Sequence, residues 1–283
     1  MRGVGRARAA GGVGLIVVGA CTINELSGGP FFLSAKSDDA LPGLSRLAAA
    51  IHEAGGRAAL QLNHGGAYVH SFLIGGGPAV SASAVQSGLT GEMPREMTVE
   101  EIEETVEDFA RAAELTRRAG FDAVEICASA GYLISQFLSP KTNVREDEYG
   151  GDEQGRMRFG VEIAERVRAL CGPDFPVIFR LAGNSFVEGA GDSALAARFA
   201  RALEKAGVDC FDVTGGWHQT RVPQLTGQVP AGGLSYLARV IKEAVSVPVV
   251  ACNRMTTPEE AETVLANGHG DLIGLGRALI ADG

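Results

Sequence analysis

Apolar, β-branched runs return along the chain at spacings that leave room for a helix between them: GVGLIVVG (12–19), RAALQL (57–62), DAVEIC (122–127), FPVIFRL (175–181), VDCFDVT (208–214), VPVVAC (247–252) and DLIGLG (271–276). Strands hydrophobic along their whole length, rather than at alternate residues, belong to a parallel sheet covered by helices. The stretch TVEEIEETVEDFARAAELTRRAG supplies one such helix. Thr98 and Glu101 stand three apart as a capping box, Val99, Ile102, Val106, Phe109 and Ala113 form an apolar stripe, and two arginines precede Gly120. Similar patterns predict helices over 156–170, 193–206, 236–244 and 258–266, the last with Pro258 in its first turn. Seven strands alternating with helices predict a TIM (β/α)8 barrel one strand short of eight, although periodicity alone does not separate it from a doubly wound sheet. The chain is expected to begin almost directly with a strand and to end just after a turn.

The length of 283 residues suits a single barrel domain over 1–283, since such barrels take about 250 residues. Hydrophobic residues at 46% and charged residues at 21% place the chain among soluble globular proteins. A net charge of −9 argues against a nucleic acid or an anionic membrane as partner, while leaving room for a local phosphate pocket. No run approaches the roughly 20 apolar residues of a membrane helix. The five cysteines, Cys21, Cys127, Cys171, Cys210 and Cys252, form no CxxC pair and no histidine stands at zinc-ligand spacing, which predicts reduced thiols, a cytoplasmic protein and no metal. The opening MRGVGRARAAGGVGLIVVGAC also has the basic start, apolar run and final cysteine of a lipoprotein export signal. The rival reading makes 13–19 a core strand.

Barrel active sites collect just after the strands, and these positions are rich in polar residues here. Asn253 and Arg254 after one strand, with Gly276 and Arg277 after the next, combine guanidinium groups and backbone donors in the manner of a phosphate grip; the alternative is two rim charges. Gln61 and Arg180 end buried strands, where an unpaired donor costs about 1–3 kcal/mol. A ring with carbonyls and nitrogens along one edge, such as a flavin, satisfies both; so does a buried carboxylate, Glu125 or Asp212. Tyr132 and His218 are candidate proton handlers, a phenol being neutral at pH 7 and able to protonate a carbanion or enolate. Against that, tyrosine often packs as an amphipathic residue and a lone histidine is often structural. No strand-end lysine suggests Schiff-base chemistry.

The segment GYLISQFLSPKTNVREDEYGGDEQGRMRF (131–159) resembles the signature of the old yellow enzyme family of FMN barrels, and VIFRL, GGWHQTRVP, PVVACNR and GLGRALIADG resemble the FMN portion of its bacterial 2,4-dienoyl-CoA reductase branch. The resemblance implies an FMN-dependent oxidoreductase that reduces a conjugated C=C bond of an enoyl or dienoyl thioester, with NAD(P)H as ultimate electron donor. It implies Tyr132 as proton donor and His218 as its partner, Gln61 and Arg180 at the flavin's pyrimidine edge, Asn253, Arg254, Gly276 and Arg277 at its phosphate, and Ala20 where a small residue lets backbone approach the ring. Typical ene reductases place a pair of hydrogen-bond donors where this chain has Cys127 and Ala130, so simple enones are disfavoured and the dienoyl-CoA branch, which lacks the pair, is favoured. His64 is expected to line the pocket, and Lys141 to reach a CoA phosphate or stay solvated. The family's first strand lies before the start of this chain, and the branch's iron–sulfur and FAD modules lie beyond its end. Two alternatives follow: a catalytically silent or partner-dependent fragment supplied by a redox partner, or a related flavin dehydrogenase acting on a steroid or aromatic acyl-CoA.

Overall fold

A computed structural model describes residues 2–223 and 226–281. Eight strands build its main sheet: β1 (Leu15–Thr22), β2 (Leu33–Ser34), β3 (Arg57–Asn63), β4 (Ala123–Ala128), β5 (Val177–Ala182), β6 (Cys210–Thr214), β7 (Val249–Cys252) and β8 (Leu272–Gly274). They form one parallel sheet in the order β8-β7-β6-β5-β4-β3-β1-β2. Apart from the two-residue β2, sheet order is chain order, which is the topology of a (β/α) barrel curled but left open between β8 and the edge formed by β1 and the short β2. All seven expected strands are present, their ends displaced by a few residues.

The helices are α1 (Arg2–Ala10), α2 (Leu41–His52), α3 (Val99–Arg118), α4 (Leu133–Leu138), α5 (Glu153–Cys171), α6 (Ser193–Lys205), α7 (Tyr236–Lys242), α8 (Pro258–Ala266) and α9 (Arg277–Ala281). The Thr98–Glu101 capping box forms at the start of α3 as its spacing predicts, and α8 starts with a second box from Thr257 and Glu260. Four helices escaped the pattern: α1, α2, α4 and α9. The expectation that a strand opens the chain is corrected by α1, whose glycines and arginines hide it; each glycine costs a helix about 1 kcal/mol. Packing makes good that deficit, since Ala9 is buried and a Cβ on Gly5 would lie 3.1 Å from Ile51 of α2. The run that resembled an export signal is β1, paired with both β2 and β3, with Cys21 fully buried.

The two faces of the sheet differ. Outward residues such as Leu60, Val124, Phe179 and Phe211 join the helices in one continuous core. Inward residues stack in layers. Ala59, Ala123, Ile178 and Cys210 form a small apolar floor. Two residues further along each strand, and so on the same face, come Gln61, Glu125, Arg180 and Asp212.

The polar segment after α4 is a clamp on the loops above the barrel. Asn143 Nδ2 donates to the carbonyls of Phe137 and Tyr149, each at 2.7 Å. Arg145 is buried, with Nη1 donating to the carbonyls of Ala82 (2.9 Å) and Met97 (2.6 Å) and Nε to Asp147 (2.9 Å). Residues that resembled a family signature are therefore fixing loop geometry. No helix among the described residues is long and apolar enough to cross a membrane. The last two residues of GLGRALIADG lie outside the described residues.

Candidate active site

The small residues after β4 are there because the backbone turns left-handed and passes close to neighbours. Ala130 has φ 61° and Gly131 φ 89°, and a Cβ on Gly131 would lie 2.6 Å from Tyr68 Oη and 2.9 Å from Trp217 Cδ2. The turn docks on the loop after β6: Ala130 bridges Trp217, and the His218 N–H donates to the Ala130 carbonyl at 3.0 Å. Two side chains then meet. Tyr132 Oη lies 2.8 Å from His218 Nε2, with ring centroids 5.2 Å apart. Burial, reinforced by Cys127 nearby, pushes the Tyr132 phenol up to about 12, and burial lowers the His218 imidazole below its ordinary value. Both are neutral at pH 7.

The pair opens on a cavity of about 300 Å³ whose walls include Ala20, Asn63, Tyr68, Leu73, Tyr132 and His218. Ala20 reaches it through a bulge: Val18 pairs with Leu60 and Cys21 with Leu62, so Gly19 and Ala20 together oppose Gln61. A Cβ on Gly19 would lie 2.6 Å from Gln61 Cβ, which is why glycine stands there.

Gln61 and Arg180 sit one layer below Asn63, each tied to a carboxylate. Gln61 Nε2 donates to Glu125 Oε1 at 2.6 Å, and Arg180 Nη1 to Asp212 Oδ2 at 2.6 Å. Cys252 Sγ donates to the other oxygen of Asp212 at 2.7 Å. Burial, with Asp212 beside it, pushes the Glu125 carboxyl up to about 8; Asp212 raises the Arg180 guanidinium. The internal carboxylate pairing is thus realised, and it leaves Gln61 Oε1 and the remaining Arg180 donors for a ligand above.

Asn253 and Arg254, both left-handed at φ 78° and 59°, follow β7; the Asn253 amide bonds the Thr214 hydroxyl at 3.1 Å and Arg254 Nε donates to the Val229 carbonyl at 2.9 Å. Gly276 and Arg277 are exposed after β8. These four lie at adjacent strand ends and do not wall the cavity. Tyr68 and Asn63 were not anticipated: Tyr68 Oη and Asn63 Oδ1 are buried with no partner. Asn63 was findable, standing two residues beyond Gln61 on the same strand face. His64 does not wall the cavity; it is buried, its Nδ1 accepts the Gly66 N–H at 3.1 Å, and burial pushes it down to about 3. Lys141 Nζ donates to the Glu188 carbonyl at 3.0 Å. Among the described residues no cluster of His, Cys, Asp or Glu has the makings of a metal site, and all five cysteines are unpaired thiols.

An open (β/α) barrel with polar residues gathered above its strand ends is an enzyme architecture. The chain belongs to the NADH:flavin oxidoreductase / NADH oxidase family, whose sequence pattern matches residues 5–283. It is 52% identical over 277 residues to a metal reductase of Desulforamulus reducens, covering 98% of this chain and 41% of that protein. It is 37% identical over 279 residues to an NADH oxidase of Thermoanaerobacter brockii, covering 98% and 43%. Among solved structures, 2-naphthoyl-CoA reductase in complex with 2-naphthoyl-CoA matches with TM-score 0.94 at 33% identity, over 99% of this chain and 45% of that one. The old yellow enzyme homologue from Zymomonas mobilis matches at 0.82 and 29%, over 98% and 78%. The chain thus spans less than half the length of those first two relatives.

The family's cofactor is FMN and its electron donor NAD(P)H. The residues present fit FMN. Gln61 offers an amide oxygen and Arg180 N–H donors in one layer, which complements a ring edge alternating N–H and C=O, and the orphaned Asn63 Oδ1 lies just above them.

Proposed function

We propose that this barrel carries the flavin-linked reduction of a conjugated acyl thioester, an enoyl or dienoyl compound, with the proton delivered by Tyr132. The observation that supports it most is the 2.8 Å bond between Tyr132 Oη and His218 Nε2 at the wall of the cavity. Gln61, Arg180 and Ala20 would hold the ring of FMN, and Asn253, Arg254, Gly276 and Arg277 its phosphate. When bound, FMN supplies a hydride to the electron-poor end of the conjugated system.

The chain's own part is the proton. A neutral His218 carrying its proton on Nε2 donates to the Tyr132 oxygen, which leaves the phenol's hydrogen directed at the substrate carbanion and stabilises the phenolate once that hydrogen has gone. Phe32, Leu73 and Leu89 make one wall apolar, suited to an acyl or aryl body and shielding the carbanion from water. The TM-score of 0.94 with 2-naphthoyl-CoA reductase favours a second reading, an aromatic acyl-CoA handled by the same residues.

The test is single-turnover reoxidation of the FMN-loaded, pre-reduced chain. Tyr132→Phe should slow reoxidation by a dienoyl-CoA or 2-naphthoyl-CoA about 10²–10⁴-fold and leave reoxidation by ferricyanide, which takes no proton from the protein, unchanged. Equal slowing with both acceptors would remove Tyr132 from the proton-donor role; the thioester that reoxidises faster chooses between the two substrates.

A further inference from the structure

The layer beneath the site contains more charge than ring binding by Gln61 and Arg180 requires. Glu125 is fully buried inside the barrel and Asp212 nearly so, and both belong to the one inward layer, where the field of Asp212 helps raise the Glu125 carboxyl. Two adjacent carboxylates cannot both ionise in such a place at little cost. The groups facing Glu125 are few: Gln61 from β3, Cys127 from β4 itself, Arg180 from β5, Asp212 and Cys210 from β6 and Cys252 from β7. Burial holds all three thiols neutral, so Arg180 is the one cation and neutralises one carboxylate.

We infer that Glu125 and Asp212 share a single proton beneath the ring-binding residues, and that this proton makes Glu125 a positioning residue for FMN. The inference rests on the FMN reading of the cavity. With the proton on Glu125 and directed at Asp212, the remaining Glu125 oxygen accepts from Gln61 Nε2 at 2.6 Å. That fixes the amide orientation, so Gln61 Oε1 is the atom offered upward, beside Gly19. Asp212 holds Arg180 through Nη1. The layer is then electrically neutral, with one acceptor and one donor group presented to the ring. Loss of the proton leaves a net negative layer, draws Arg180 between two carboxylates and takes its donors from the ligand. FMN binding and protonation of Glu125 must therefore favour each other.

Glu125→Gln mimics the protonated state permanently, since its amide oxygen accepts from Gln61 and its amide nitrogen donates to Asp212. The experiment measures the Kd of FMN for the full chain by quenching of flavin fluorescence from about pH 7, above the phosphate's second pKa of about 6, to about pH 9. Wild type should weaken by up to about tenfold per pH unit at the alkaline end, the limit for one linked proton. Glu125→Gln should match wild type within a few-fold at pH 7 and stay flat. Asp212→Asn, which leaves Glu125 to ionise against Arg180, should also lose the alkaline weakening. Parallel weakening in Glu125→Gln and wild type, or a flat wild type, would overturn the proposal.

A second readout needs no flavin. A carboxyl raised on folding destabilises the folded state progressively as pH rises from the ordinary carboxylate range to its raised value. Thermal melts of the apo chain should therefore show Glu125→Gln gaining on wild type as pH rises. A constant gap would count against the shared proton. Failure of the wild type to bind FMN at any pH would sink the cofactor reading and the positioning role with it, and the melts would still decide the proton.

Discussion

The two sides of this barrel are built to different standards. From β3 to β6 every strand is paired on both edges, and outward residues such as Leu60, Val124, Phe179 and Phe211 have no exposed surface. From β7 through β8 to β1 the sheet ends on two edges that do not pair with each other among the described residues, and Leu272 and Leu15 keep 52% and 42% of their surface accessible. The outer ring crosses that seam through Arg8 of α1, whose Nε donates to the carbonyl of Leu279 in α9 at 2.6 Å. Tyr132 and His218, proposed to handle the proton, and Gln61 and Arg180, proposed to meet the ring edge, lie on the closed side; Asn253, Arg254, Gly276 and Arg277, proposed to hold the phosphate, lie at the ends of β7 and β8. The chemistry that depends on sub-ångström placement stands where packing is complete, and a charged tail that tolerates looser contacts is left to the seam.

The largest test of this contrast is a pair of truncations. Phe211→Ala removes a fully buried ring shared by β6 and the helices and should cost about 3–5 kcal/mol. Leu272→Ala, on the open edge, should cost under about 1 kcal/mol. Denaturant titration of both variants decides it. A comparable cost for Leu272→Ala would mean that the seam is covered in solution, since an exposed side chain has little burial to lose.

What the sequence showed follows the same division. The closed-side strands were legible because each is apolar along its length, and α3 because its cap and stripe are explicit. The strand-end logic picked out Tyr132, His218, Gln61 and Arg180 one at a time, but the 2.8 Å contact between the first two, 86 residues apart, depends on Ala130 docking against Trp217, a pairing between loops that no local pattern encodes. Tyr68 was missed for the same reason: its hydroxyl reaches the site only because Gly131 has no side chain. On the open side, α1 was hidden by glycines and arginines whose helical state comes from contact with α2 rather than from propensity. Charge patterning did raise Glu125 and Asp212 as partners for Gln61 and Arg180, though as a rival to flavin binding; the layered geometry makes the two readings compatible.

A smaller effect sharpens the contrast within the closed side. Gly131→Ala would place a Cβ 2.6 Å from Tyr68 Oη at a positive φ, so both strain and collision push the turn away from Trp217. Global stability should fall by about 1–3 kcal/mol, while thioester reoxidation should fall by about 10²-fold, the scale of a 1 Å misplacement. If the rate falls no more than stability alone explains, the turn is scaffolding and the phenol's position is set elsewhere.

The smallest expected effect concerns His218, whose surface is partly open to solvent. Burial holds its imidazole below the usual value of about 6.5, so it remains neutral as pH falls through that point and charges only lower down. Thioester reoxidation should accordingly be flat from about pH 8 to about pH 6.5 and change only below it. His218→Gln keeps an N–H donor within reach of the Tyr132 oxygen but cannot titrate, and should cost less than about tenfold while erasing the acid limb of the pH profile. His218→Leu removes the donor, leaves the phenolate without its hydrogen bond, and should cost more than His218→Gln at every pH. The order of the two variants is the decisive quantity: a leucine variant as active as the glutamine one would mean that the imidazole packs against the phenol without stabilising its charge, and Tyr132 would then act alone.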